Sequence, residues 1–347
     1  MARIHRREPK PRTGSAEPRR GLAAASHFLL WAFAAVAGVI LVVMGLQLLG
    51  AFVGTAALAA AAPSAGRGRL PGAVLIVSIV AQLIWLAAVA PWYRRVRRHG
   101  IAQARAAYGE RAGDRGGPLE PGLSTADVWR EAGADPARET RLAVLRWFMV
   151  VCAITVLGVG LQVVTSTAVD MLLPLFPQVE REFNELMKAS GINDFTWLSA
   201  VSVAVLAPIV EELTFRGISF QLALRAVTPA WSPRLTLRGC RELEVSPARF
   251  WVANAIQAAA FGIMHMNITQ ALYAFPMGLV LGWLFMRTGR LRYGMGLHLA
   301  VNLSSYLVHG LYGAMGALGS LGAAAFPVAC VLVGFGLFDE AAPHRDG

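Results

Sequence analysis

Long apolar runs alternate along this chain with shorter, arginine-rich polar stretches. Runs from Phe28 to Ala62, Pro71 to Trp92 and Leu142 to Val169, and a fourth starting at Trp197, are each long enough to cross a bilayer as a helix, which takes about 20 apolar residues. Further apolar segments cover Phe250 to Met266, Leu272 to Met286, Tyr293 to Val308 and Leu318 to Phe338. The pattern predicts an all-α fold, a polytopic transmembrane helix bundle of about eight spans. It divides the chain into a tail at 1–26, two N-terminal transmembrane helices at 27–93, a polar loop at 94–141, a helical core at 142–338 and a second tail at 339–347.

Charge orients this bundle. Residues 1–26 hold seven Arg or Lys against two Glu and are rich in Pro and Gly, the composition of a disordered tail. Ten Arg lie between Arg94 and Arg141, more between Arg225 and Arg249, and Arg287, Arg290 and Arg292 mark a further turn. By the positive-inside rule these segments are cytoplasmic, and so are both termini. The stretch from Asp170 to Asp194, with Glu180, Glu182 and Glu185 against Arg181 and Lys188, falls outside. Arg19 and Arg20 resemble a twin-arginine signal, but the apolar run behind them is too long for a cleaved leader and reads as the first span.

Composition excludes a soluble globular protein. The chain is 56% hydrophobic and 15% charged, where soluble domains carry about 25% charge. The net charge of +11 is spread between the apolar runs, so it points to anionic membrane lipids as partners and not to nucleic acid. Lys10 and Lys188 are the two lysines among 32 basic residues, an arginine bias that suggests a bacterial source and hence the cytoplasmic membrane of a bacterium. Cys152, Cys240 and Cys330 form no CxxC pair and read as small apolar fillers.

Against that apolar background a few residues stand out. A charged side chain at the centre of a span costs about 2.5 to 3.5 kcal/mol, so each needs a reason to be there. The set is Glu211, Glu212 and Arg216 in the fourth span, Asn254 and His265 in the fifth, and His298 and Asn302 in the seventh. His5, His27, His99, His309 and His344 lie in tails, loops or span edges and carry no expected role. Glu212 and Arg216, four apart, share a helical face and can pair. Glu211, rotated about 100° from Glu212, points elsewhere. Pro208 breaks the helical ladder one turn upstream, as where a span borders a water-filled cavity. The same trio would also serve as a buried polar staple between helices. Phe261 and His265 are four apart, Asn254 returns to nearly their face, and His298 and Asn302 repeat the spacing.

The order Glu-Glu-x-x-x-Arg, Phe-x-x-x-His and His-x-x-x-Asn, carried here by Glu211, Glu212, Arg216, Phe261, His265, His298 and Asn302, resembles the CPBP intramembrane proteases. That family includes the Rce1-type CAAX prenyl proteases and bacterial proteins linked to bacteriocin self-immunity. The resemblance runs from about Ala207 to Ser305 and makes residues 142–338 a CPBP-like protease core. It implies an intramembrane endopeptidase acting on a membrane-associated protein or peptide. Glu211 and His265 would activate water, and His298 and Asn302 would stabilise the oxyanion. Glu212, Arg216, Phe261 and Asn254 would support them. Such roles suit the chemistry: a carboxylate in a low-dielectric cavity is a stronger base than a solvated one, and fixed donors stabilise developing charge on a carbonyl.

Competing readings follow from the same residues. Glu211, His265 and His298 could in principle bind a divalent metal such as zinc, although no HExxH occurs, and the expectation is catalysis that requires no cofactor. A non-catalytic immunity or scaffolding protein of the same family is one alternative, and a proton-coupled transporter is another. Substrate identity, prenylation of the substrate and oligomeric state are not encoded in any motif. One geometric difficulty stands out. If every segment crossed fully, His265 and His298 would lie roughly 15 Å or more apart along the membrane normal. The polar stretch Met266 to Phe275 therefore is expected to turn inside the membrane, with Pro276 opening the sixth helix and His265 left near Glu211.

Overall fold

In the computed structural model, residues 16–61, 70–113, 136–190, 195–229 and 245–342 are described. They contain helices and no strand. Of the expected tail and loop, residues 1–15 and 114–135 lie outside them, as does Cys240, while 16–26, 94–113 and 136–141 are helical where a disordered tail and a loop were expected, continuing the neighbouring helices.

The helices are α1 Ala16–Phe33, α2 Val39–Ala61, α3 Leu70–Gly113, α4 Pro136–Leu172, α5 Pro177–Ser190, α6 Trp197–Ser199, α7 Ala207–Thr214, α8 Phe220–Val227, α9 Pro247–Met264, α10 Ile268–Thr288, α11 Leu291–Ser305, α12 Val308–Gly316 and α13 Gly319–Ala341. π-helical turns join three of the neighbours: Ala34–Gly38 between α1 and α2, Ala200–Leu206 between α6 and α7, and Phe215–Ser219 between α7 and α8.

Among the described residues six helical segments are long and apolar enough to cross a membrane: Gly21–Ala60, Gly72–Arg95, Arg141–Leu175, Trp197–Val227, Ile268–Thr288 and Gly319–Ala341. They coincide with six of the eight expected spans. The other two, α9 and α11, have 18 and 15 residues and fall outside that set. At 1.5 Å per residue α11 is about 22 Å long, short of the roughly 30 Å hydrocarbon core.

Burial ranks the spans. The windows of the outer four bury 17% to 22% of their residues inside the protein, while Trp197–Val227 buries 50%. Leu29, Phe52, Trp147, Leu321 and Leu332 stand exposed on the outer helices, which suits contact with lipid. The polar-rich fourth span is thus enclosed, with α3, α9 and α11 packed against its segments. Glycines allow the close approaches: a Cβ on Gly50 would lie 2.6 Å from Ala81 Cβ, and one on Gly158 would lie 2.6 Å from Ala300 Cβ.

The sixth helix corrects one expectation. The stretch Met266 to Phe275 does not turn as a whole, and Pro276 does not open the helix; α10 runs unbroken from Ile268 to Thr288, with Pro276 in its interior. Asn267 caps it, accepting the Gln270 N–H on Oδ1 at 3.0 Å, so the polar residues after His265 serve as a helix start. The reversal is made in the three residues His265 to Asn267. Met266 takes a left-handed φ of 53°, which costs a residue with a Cβ about 1 to 2 kcal/mol.

Candidate active site

The fourth span is built from short α-helical pieces separated by π-helical turns, and this irregularity positions its carboxylates. At the first turn the Ala207 N–H reaches back five residues to Ser202 O, passing over Val203. Pro208, next in line, has no N–H to offer. The Val203 carbonyl instead accepts from Asn302 Nδ2 on α11 at 2.8 Å. A buried carbonyl without a donor is costly, so the break in one helix recruits a side chain from another.

Glu212 and Arg216 form the pair that their spacing predicts, Nη1 to Oε1 at 2.9 Å with neither side chain exposed. The guanidinium is also within 3.4 Å of the Gly278 carbonyl on α10 and lies 4.5 Å from the centre of the Phe261 ring. Thus the buried cation meets a carboxylate, a carbonyl and an aromatic face, compensation that a charge in this environment requires. Glu212 Oε2 abuts Gly294: a Cβ there would lie 2.7 Å from it.

His298 stands between the two carboxylates. Its Nδ1 is 3.3 Å from Glu212 Oε1, and its Nε2 is 3.6 Å from Glu211 Oε2. The imidazole fills the wedge between the two side chains and touches both, and Glu211 takes no part in the Glu212–Arg216 pair. A carboxylate paired with a guanidinium can only accept, so Nδ1 donates to Glu212 and Nε2 is presented to Glu211. Glu211 keeps an 18% exposed side chain, whereas Glu212 has none, so Glu211 is the carboxylate of the two that water can reach.

Phe261 organises the remainder. Its ring meets His265 edge to face at 5.1 Å and His298 at 5.7 Å, so the two imidazoles can be no farther apart than the sum of these distances. The wide separation of the two histidines does not arise: α9 and α11, of 18 and 15 residues, pack against α10 and α7 and bring both rings to Phe261. His265 Nδ1 bonds the Phe261 carbonyl at 2.9 Å, leaving Nε2 for other partners. Among the described residues no hydrogen bond or ion pair joins His265 to Glu211; the imidazole beside Glu211 is His298. Asn302 spends one amide hydrogen on Val203 and retains a second.

Asn254 lies one layer away. It donates to Leu279 O at 2.9 Å and accepts from Gln257 Nε2 at 2.7 Å, while Gln257 also donates to Gly278 O at 2.8 Å. The two buried amides pin α9 to α10 beside the carbonyl that Arg216 approaches. Gln257 was missed in the sequence, although it sits four residues before Phe261 and passes the test that picked out Asn254.

The donor set does not fit a metal. Among the described residues no group of three or more His, Cys, Asp or Glu is arranged to hold one. Both His298 nitrogens face carboxylates, and Glu212 is committed to Arg216.

Enclosed carboxylates and imidazoles in a helical membrane bundle define a class of integral membrane protein, and comparison with known families narrows it. Residues 193–304, roughly a third of the chain, match the family described as Type II CAAX prenyl endopeptidase Rce1-like, a protease family. The match spans every motif residue from Glu211 to Asn302 and is the CPBP relationship that those motifs implied. No curated protein and no solved structure gives a match.

Proposed function

We propose that this protein is an intramembrane endopeptidase that hydrolyses a peptide bond in a membrane-associated protein or peptide. The observation that carries the reading is His298 set between Glu211 and Glu212, with Arg216 neutralising the inner carboxylate. Glu211, the carboxylate that water can reach, takes a proton from the attacking water. His298 Nε2 lies next to it and can share that proton, and Glu212 holds the ring in the tautomer that allows this. The second amide hydrogen of Asn302 is a donor available to a developing oxyanion, and His265, whose Nδ1 donates to Phe261 O, offers Nε2 as a second donor once the ring is protonated. The reaction uses no metal, in keeping with the donor set. A bacterial cytoplasmic membrane is the proposed location, and anionic lipids are proposed partners.

The test is comparative membrane proteomics of cells carrying wild-type protein or Glu211→Ala. A precursor that accumulates in the variant, and that purified wild-type protein cleaves in lipid nanodiscs, is the expected result. Cleavage of that precursor by Glu211→Ala would overturn the reading.

A further inference from the structure

The N-terminal spans lie outside the segment that matches the family, yet they hold the part of the fourth span that carries Arg216. Trp85 on α3 donates from Nε1 to Thr214 Oγ1 at 3.0 Å, and Thr214 Oγ1 donates to Val210 O at 2.7 Å. One residue past Arg216 along the chain, the Tyr93 ring packs against Gly217, where a Cβ would lie 2.9 Å from Tyr93 Cδ2. Ser219 then donates from Oγ to Ala35 O at 2.7 Å.

The last contact joins one π-helical turn to another. In the turn Ala34–Gly38 the Val39 N–H reaches Ala34 O and Val36 O and passes over Ala35, whose carbonyl accepts from an outside donor. Ser219 supplies it from the turn Phe215–Ser219. Trp85, Thr214, Ala35 and Ser219 are all buried, so no water competes for these bonds. Thr214, Gly217 and Ser219 thus face the N-terminal helices, while Arg216 between them reaches to Glu212, Gly278 and Phe261.

We propose that the N-terminal membrane helices position Arg216 on Glu212, with Trp85 and Ser219 as positioning residues that act through the backbone of Thr214 to Ser219. The inference rests on the reading of Glu211 and Glu212 as the reactive cluster. Helices that lie outside the family match thereby fix the π-helical turn that aims the guanidinium, and through Glu212 they fix the tautomer and orientation of His298.

Dicyclohexylcarbodiimide, a hydrophobic reagent for carboxyl groups, reads this directly. The full chain in lipid nanodiscs is treated with it, and modification of Glu211 and Glu212 is followed by mass spectrometry. In the wild type Glu211 is modified and Glu212, enclosed by Arg216, is protected. Trp85→Phe and Ser219→Cys keep bulk and remove or weaken a donor. Each is expected to raise the rate at Glu212 at least tenfold while the rate at Glu211 stays within twofold, which also certifies the fold. Ser219→Thr, which keeps the hydroxyl, should restore protection. If Glu212 stays as protected as in the wild type in both variants, while Arg216→Met exposes it, the proposal is wrong. Cleavage is not read here, so that failure leaves the protease reading standing. Retained cleavage by Glu211→Ala would remove the protease reading and leave Glu212 protection untouched.

Discussion

Asn302 gives Val203 the hydrogen bond that Pro208 cannot make, across 2.8 Å from one helix to another. A double-mutant cycle isolates the relationship. Asn302→Leu should cost about 1 to 3 kcal/mol by stranding the Val203 carbonyl. In a Pro208→Ala background, where the helix supplies its own N–H, the same substitution should cost about 1 kcal/mol less. Unfolding in mixed micelles by detergent titration measures both; equal costs in the two backgrounds would show the sites to be independent.

Gly294→Ala places a methyl group on a fully enclosed carboxylate oxygen, 2.7 Å away. Glu212 must move, and Arg216 and His298 lose their alignment with it. A misplacement of about 1 Å in such a cluster costs roughly 100-fold in rate. Gly296→Ala, whose new methyl would meet Ile154 at an ordinary 3.7 Å, should leave cleavage of the precursor within about twofold. Similar losses in both variants would speak against a specific clash at Glu212.

Removing one member of the buried pair is worse than removing both. Arg216→Met leaves Glu212 enclosed without its cation and should destabilise the protein by about 3 to 5 kcal/mol. The double variant Glu212→Gln with Arg216→Met should recover a good part of that loss in the same unfolding measurement. Activity should remain absent in both, because the alignment of His298 Nδ1 on an ion-paired Glu212 is lost.

Gln257→Leu deletes the donor shared by Asn254 Oδ1 and Gly278 O. Asn254 Oδ1 loses its partner and Gly278 O keeps only the longer side-chain bond from Arg216 Nη2, so a cost of about 2 kcal/mol is expected. Because the amide bonds to neither imidazole, cleavage should fall far less than in Glu211→Ala. A loss as complete as that of Glu211→Ala would instead place Gln257 in the chemistry.

Chelation tests the donor set. Prolonged treatment of the purified protein with a strong chelator should leave precursor cleavage unchanged, since among the described residues no three metal-ligating groups are arranged to hold an ion, and Glu212 is committed to Arg216. A loss of cleavage that added zinc restores would contradict this.

Much of the architecture follows from local rules that any reader of the chain can apply. Desolvation makes a charge inside an apolar run expensive, so the spans announce themselves, and Glu211, Glu212, Arg216, His265, His298 and Asn302 stand out within them. The Glu212–Arg216 pair needs nothing beyond a four-residue helical spacing. Interactions between helices obey no such local rule. That His298 bridges both carboxylates depends on how α11 packs against the fourth span, and helical angle alone does not show it. Asn267 reads equally well as a cavity lining or a helix cap until its neighbours are in place. At the π-helical turns the N–H groups of Val39 and Ala207 pass over Ala35 and Val203, and the side chains that bond these carbonyls lie 184 and 99 residues away. Spacing along the chain carries what one helix does to itself; which carbonyl a break exposes, and which distant side chain satisfies it, is settled by packing.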